Sequence, residues 1–163
     1  MNATGPMVRD LDGATVLLRC DFSQGVSGDC ADAIRALAGR GARVAIIAGH
    51  DDPAGDINPA MSLRQWMEPL RAATGLPVHF VPDCVGPVAE AGVSAMPQGA
   101  VALLENIRFH RQAQRHSRIF AMRLSVLGDY FLVPGGMPDR PSPWIRELAG
   151  LLPQPTRTLP APA

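Results

Sequence analysis

The sequence predicts an α/β fold: a three-layer α/β/α sandwich around a mostly parallel sheet of about five strands. Three observations predict it. Five short apolar runs, rich in β-branched residues, lack the alternation of a half-exposed strand. Amphipathic helical stretches separate them in sequence, the pattern of repeated strand–helix units. The 163-residue length suits one domain, which at that size buries about two thirds of its unfolded surface.

The strands come first. Ala14 to Cys20 is the first, Arg43 to Ala48 the second, flanked by Gly41 and Gly49. Pro77 to Val81, Ala100 to Leu104 and Tyr130 to Val133 complete the set. Between them, Asp29 to Arg40 places Ala33, Ile34 and Leu37 on one helical face and ends at Gly41, a favoured position after a helix. Ser62 to Thr74 opens with a capping-box pattern, Ser62 with Gln65, and is followed by Gly75. Cys84 to Ala95 is a helix with Asp83 as candidate N-cap and Pro87 near its start, interrupted by Gly86 and Gly92. Ser117 to Leu127 carries Ile119, Phe120, Leu124 and Leu127. The helix Ser142 to Leu151 has Pro143 at its first turn and a stripe of Ile145, Leu148 and Leu151. One domain therefore spans residues 1–152, and 153–163, with four Pro, reads as a disordered tail.

Composition narrows the chemistry. Fifteen cations balance fifteen carboxylates, and every cation is Arg; lysine is absent. Zero net charge argues against nucleic-acid binding through phosphate neutralisation. Without lysine there is no Schiff base, lysine base or P-loop lysine. No apolar run reaches the ~18 residues of a membrane span, and residues 1–12 lack the apolar core of a signal peptide. A cytoplasmic protein without membrane association is expected. Three dispersed thiols, Cys20, Cys30 and Cys84, suit a reducing compartment and show no zinc-binding spacing. Cys20 ends a buried strand and reads as a small hydrophobe. The cysteines read as structural; a helix N-terminus would lower the Cys84 thiol pKa, but no His or second Cys is paired with it by spacing. The seven Met are dispersed and mostly read as core filler.

In parallel sheets of this kind, ligands bind beyond the carboxyl ends of the strands. Two of the segments there are chemically rich. Glu105 to His110 follows the fourth strand, and residues 105–123 hold five Arg against one acidic residue. An anion site fits this pattern, with Arg108 forked onto a phosphate or carboxylate; a solvated loop with one tethering Arg fits it as well. Gly49-His50-Asp51-Asp52-Pro53 follows the second strand. His50 suits anion binding, acid–base work or a metal. The paired Asp suit a hard cation, but an Asp-Pro turn needs no ligand and is favoured. His110 and His116 lack the i, i+4 spacing of a two-His site.

The order of these segments resembles the N-terminal domain of the phosphoglycerate kinases. That domain opens with V-L-x-R-x-D-F-N, here Val16 to Ser23. Its K-G-A-K-V strand followed by S-H-L-G-R-P is similar to Arg40 to Val44 and Gly49 to Pro53. Its G-x-P-V-x-F-V-x-D-C-x-G-P looks like Gly75 to Pro87. Its L-L-E-N-x-R-F-H is complete as Leu103 to His110, and its F-A-x-x-L-A-x-L-G-D-x-Y-V resembles Phe120 to Tyr130. The resemblance runs collinearly over about residues 14 to 152.

The resemblance implies a site for 3-phosphoglycerate, made here of Asp21, Ser23, His50, Arg108 and Arg140. The departures are equally informative. Ser23 stands for the family's Asn, and Asp51-Asp52 occupies the stretch of the Arg in H-L-G-R-P. No Arg lies near Gly28-Asp29-Cys30, where the family has T-D-D-x-R-I. The last substrate loop is rebuilt as Val133 to Arg140, in which Arg140 replaces the family's Arg with a one-residue shift. At about 1.5–3 kcal/mol per charged hydrogen bond, losing two Arg weakens phosphate binding roughly 10²- to 10⁴-fold. In the family a C-terminal domain carries the nucleotide, and lysine serves the transfer; neither has a counterpart in these residues. The expectation is a degenerate, stand-alone phosphoglycerate-kinase-like domain without kinase activity, catalytic residues, cofactor or metal. Its expected partners are a small phosphorylated metabolite or a separate protein chain, as a regulatory module or as a subunit of a split kinase.

Overall fold

The computed structural model describes residues 11–50, 53 and 55–155. Five strands form one sheet: β1 (Thr15–Arg19), β2 (Arg43–Ile47), β3 (Val78–Val81), β4 (Val101–Leu104) and β5 (Tyr130–Leu132). Their spatial order is β3-β4-β2-β1-β5, and every pairing is parallel. The strands sit where the apolar runs predicted them, trimmed by one or two residues at their ends. Residues alternate between two buried layers, which explains why the runs showed no polar face. Leu17, Ala45, Ile47, Ala102, Leu104 and Phe131 point into one layer. Val16, Leu18, Val44, Ile46, Val101 and Leu103 point into the other.

The helices divide between these layers. Helix α1 (Gly28–Gly39) buries Cys30, Ala33, Ile34 and Leu37, and α2 (Met67–Thr74) buries Leu70, both on the second layer. Helices α3 (Pro87–Ser94), α5 (Ser117–Ser125) and α6 (Pro143–Leu151) cover the first. A single turn, α4 (Gln112–Arg115), precedes α5 and has no counterpart in the sequence reading, being too short to show a period. Gly41 and Gly75 end α1 and α2 at φ +81° and +70°, the left-handed geometry that glycine tolerates.

Two helix starts differ from the sequence expectation. Residues Leu63–Trp66 form a 3₁₀ turn before α2, and the capping box does not close. The Ser62 hydroxyl accepts from Arg64 N–H, but the Gln65 amide donates to the Ser62 carbonyl instead of receiving attention from its N–H. Helix α3 begins at Pro87, three residues after Cys84, and Gly86 at φ +83° is its N-cap. Asp83 instead accepts from Cys84 N–H at 2.8 Å, forming a local turn ahead of the helix.

Of the described Met, only Met96 is fully buried; Met61 and Met67 are half-buried, and Met122 and Met137 are exposed. The core-filler reading therefore fails for most of them, and Met1 and Met7 lie outside the described residues. Packing continues past Leu152: Phe131 N–H donates to the Pro153 carbonyl at 3.0 Å, and Pro155 is buried. The rest of the expected tail, 156–163, lies outside the described residues, as do residues 1–10 and Asp51-Asp52. No described helix is long and apolar enough to cross a membrane.

Candidate functional site

The connections leaving β1 and β2 run through α1 and α2 on one face, and those leaving β3 and β4 through α3 and α5 on the other. Neighbouring β2 and β4 thus send their chains to opposite faces, which opens a crevice at their carboxyl ends. His50 follows β2 there, and Arg108 follows β4, in the 3₁₀ turn Ile107–Phe109.

Asn106 joins the two segments. It is fully buried, and its amide makes four hydrogen bonds. Oδ1 accepts from His50 N–H at 3.1 Å and from Arg108 N–H at 3.0 Å. Nδ2 donates to the His50 carbonyl at 2.7 Å and to the Met61 carbonyl at 3.0 Å. A buried amide must satisfy its donors and acceptors, so this network fixes where His50 and Arg108 leave the backbone. Glu105 does the same for the segment ahead of α2: its carboxylate accepts from Ser62 Oγ at 2.7 Å, Leu63 N–H at 2.9 Å and its neighbour Asn106 N–H at 2.9 Å. The Arg108 side chain lies across Gly49, where an added β carbon would meet Nε at 3.0 Å.

Aromatic contacts bring the end of β1 to the same place. Trp66 stacks on Phe22 at 4.8 Å between ring centres and meets the His50 ring edge-on at 5.7 Å. Beside Phe22, the carboxyl of Asp21 is held below its ordinary value. The Ser23 N–H and hydroxyl are the main cause, with Arg19 and Arg108 adding favourable charge. Ser23 N–H donates to Asp21 Oδ1 at 3.0 Å, so Ser23 orients Asp21. The structure thus gathers Asp21, Ser23, His50 and Arg108 along one edge of the sheet. Arg140 is exposed on the loop before α6, two residues ahead of Ser142, which lines a cavity of about 270 Å³ with Arg108, Gln114 and Trp144. Two other Arg of the 105–123 segment turn elsewhere: Arg111 pairs with Asp56 at 3.5 Å, and Arg123 donates to Gln112.

All three thiols are free and buried, in keeping with the structural role expected of them. Cys84 is wholly buried, and burial pushes its thiol well up, with Asp83 and Glu105 adding like charge. A lowered thiol is ruled out by this burial, and Cys84 lies before α3, not within its first turn. The Cys20 and Cys30 thiols lie together between the end of β1 and the start of α1, and Cys30 Sγ donates to the Arg19 carbonyl at 3.9 Å. The interaction of the two thiols is the chief reason that Cys30 falls to about 7 while Cys20 rises. The Cys30 N–H is capped by Ser27 Oγ at 3.1 Å. Asn106, Glu105 and this thiol pair were not singled out by sequence reasoning. The first two stood in a motif but carried no spacing signal for their contacts.

The phosphoglycerate kinase family model matches residues 8–134. The chain belongs to the phosphoglycerate kinase family. It is 43% identical over 133 residues to a phosphoglycerate kinase of Caulobacter vibrioides (strain NA1000 / CB15N), covering 76% of this chain and 34% of that protein. It is 37% identical over 130 residues to the phosphoglycerate kinase of Rhodospirillum centenum (strain ATCC 51521 / SW), covering 74% and 33%. Among solved structures, the phosphoglycerate kinase from Pyrococcus horikoshii OT3 superposes with a TM-score of 0.73 at 22% identity, over 88% of this chain and 40% of that one. This last likeness concerns the fold. The chain spans about a third of the length of the phosphoglycerate kinases that it matches. Asp21, Ser23, His50 and Arg108 lie inside the segment matched to the phosphoglycerate kinase model, and Arg140 lies outside it.

Proposed function

We propose that this phosphoglycerate-kinase-like domain binds a small phosphorylated carboxylate of the 3-phosphoglycerate class and carries out no phosphoryl transfer by itself. The observation that supports binding most is the Asn106 network, which holds His50 and Arg108 at one crevice beside Asp21. Arg108 would fork onto the anion, His50 would add a donor, and Asp21, oriented by Ser23, would accept from a substrate hydroxyl. Arg140 would approach from the neighbouring loop. The absence of lysine supports the second half of the reading. Phosphoryl transfer needs a charge-stabilising site for nucleotide and transferred group together, and these 163 residues hold no lysine.

Thermal unfolding with 3-phosphoglycerate tests the binding. At ~100 times Kd, a ligand specific to the folded state adds about 2.7 kcal/mol. For a domain of this size that raises Tm by roughly 5–10 °C. Arg108→Ala should remove the shift, and an unshifted wild-type protein would refute the reading. A coupled assay for ATP formation from 1,3-bisphosphoglycerate tests the second half, since clear turnover by the purified chain would contradict it.

A second reading, pairing with a separate protein chain, is favoured by α5. Ile119 and Met122 of α5 and Val126 at its C-cap stand 53%, 52% and 67% exposed at helical spacing. Such a stripe suits burial against another apolar surface. Light scattering showing a monomer, together with no complex with a nucleotide-binding chain, would count against it.

A further inference from the structure

We propose that Asp83, Cys84 and His110 form a zinc site. Asp83 and Cys84 follow β3, and His110 follows the 3₁₀ turn beyond β4, so two separate segments meet. One ligand atom from each, a carboxylate oxygen, Sγ and an imidazole nitrogen, lies within 4.8 Å of the others. His110 Nε2 is 2.8 Å from Asp83 Oδ1.

The donor set selects the metal. Sulfur, imidazole and carboxylate together are borderline-soft and suit Zn²⁺ over Mg²⁺ or Ca²⁺, which take oxygen. Zinc bonds of about 2.0–2.3 Å at tetrahedral angles place ligand atoms roughly 3.5 Å apart. The widest separation therefore draws in by about 1.3 Å at most, while the Asp83–His110 pair opens by roughly 0.7 Å. Three protein ligands leave a fourth position for water. A cavity of about 130 Å³ lined by Asp83, His110, Glu105 and Phe109 supplies the room and the entry path. Charge favours a cation: Asp83 and Glu105 both place negative charge beside Cys84, opposed by Arg123. Glu105 keeps its hydrogen bonds to Ser62, Leu63 and Asn106, so it acts as a charged neighbour, not a ligand. On binding, the Cys84 S–H bond breaks, its proton passes to water, and the sulfur lone pair forms the bond to zinc. The metal would clamp the end of β3 to the turn that carries Arg108.

Cobalt(II) is the probe, because a thiolate ligand gives it a near-ultraviolet charge-transfer band. Titrating the chelator-treated full-length chain with Co²⁺ should develop that band with visible d–d bands and saturate at one metal per chain. Added Zn²⁺ should bleach both. Cys84→Ser should lose the charge-transfer band, and His110→Gln should weaken cobalt binding at least tenfold. Cys20→Ser with Cys30→Ser should leave the band intact. Folded protein, verified by circular dichroism, that shows no band in excess cobalt overturns the proposal. So does a band that survives Cys84→Ser or vanishes with Cys20 and Cys30. Should Cys84→Ser not fold, the half-buried His110 decides: unchanged affinity in His110→Gln overturns the site.

Discussion

Asn106 is buried yet touches four backbone groups, so replacing it exposes an asymmetry in hydrogen-bond energetics. Asn106→Leu keeps the volume but orphans two N–H and two C=O groups around the crevice. At about 1–3 kcal/mol for each group left buried and unpaired, the loss should be at least ~3 kcal/mol in urea unfolding. A loss under ~1 kcal/mol would show that the network does not hold the site. Cys30 carries a second residue-level prediction. Its thiol titrates at about 7 when folded, against 9.0 for the ordinary thiol. A depressed acid stabilises the fold fully above the ordinary value and loses that contribution as pH falls through the folded one. Thiolate ultraviolet absorbance of the folded chain should therefore rise with a midpoint near 7 and an amplitude of one thiol, and stability from this group should grow between about 7 and 9. No thiolate signal below pH 8 would contradict the assignment. Neither feature was legible beforehand. Cys20 was read as the end of a buried strand, but its contact with Cys30 depends on where α1 lands. Asn106 was visible only as a letter in L-L-E-N-x-R-F-H.

Periodicity and glycine made most elements legible. Uninterrupted apolar runs gave the five strands because both faces of the sheet are covered, and Gly41 and Gly75 marked two helix ends because those positions need positive φ. The misses come from contacts made across the fold. Ser62 and Gln65 have capping-box spacing, yet the Ser62 N–H that the box would give to Gln65 donates to the Pro59 carbonyl at 3.3 Å, and the Ser62 hydroxyl donates to the Glu105 carboxylate 43 residues away. Ser62→Ala should therefore destabilise the chain by about 1–2 kcal/mol. Gln65→Ala, on an exposed side chain, should stay within ~0.5 kcal/mol. Chemical denaturation of the two variants separates the possibilities; equal losses would favour the local box. The start of α3 slipped for a related reason. Asp83 has the chemistry of an N-cap, but it serves Cys84 N–H and His110, leaving Gly86 and Pro87 to open the helix.

For the molecule as a whole, the sheet order decides what the polar residues can do. Strand order β3-β4-β2-β1-β5 sets β2 between β4 and β1, so the loops that carry Asp21, His50 and Arg108 meet at the carboxyl end of the sheet. Collinear motifs made the family legible, and topology brings Asp21, His50 and Arg108 to the carboxyl end of neighbouring strands. Arg140 was the least legible member. It lies on a rebuilt, Pro-rich loop, is exposed, and falls outside the span matched by the family model. Its removal should weaken anion binding less than removal of Arg108, which lies in the crevice against Gly49; calorimetric Kd values for Arg140→Ala and Arg108→Ala rank the two. The most direct test of the account follows the crevice itself. Trp66 touches both Phe22 and His50, and Trp144 is the only other Trp. Fluorescence of a Trp144→Phe chain titrated with 3-phosphoglycerate should change saturably, with the change lost in Arg108→Ala. A flat titration, or an equal response in Arg108→Ala, would contradict the claim that this edge binds the anion.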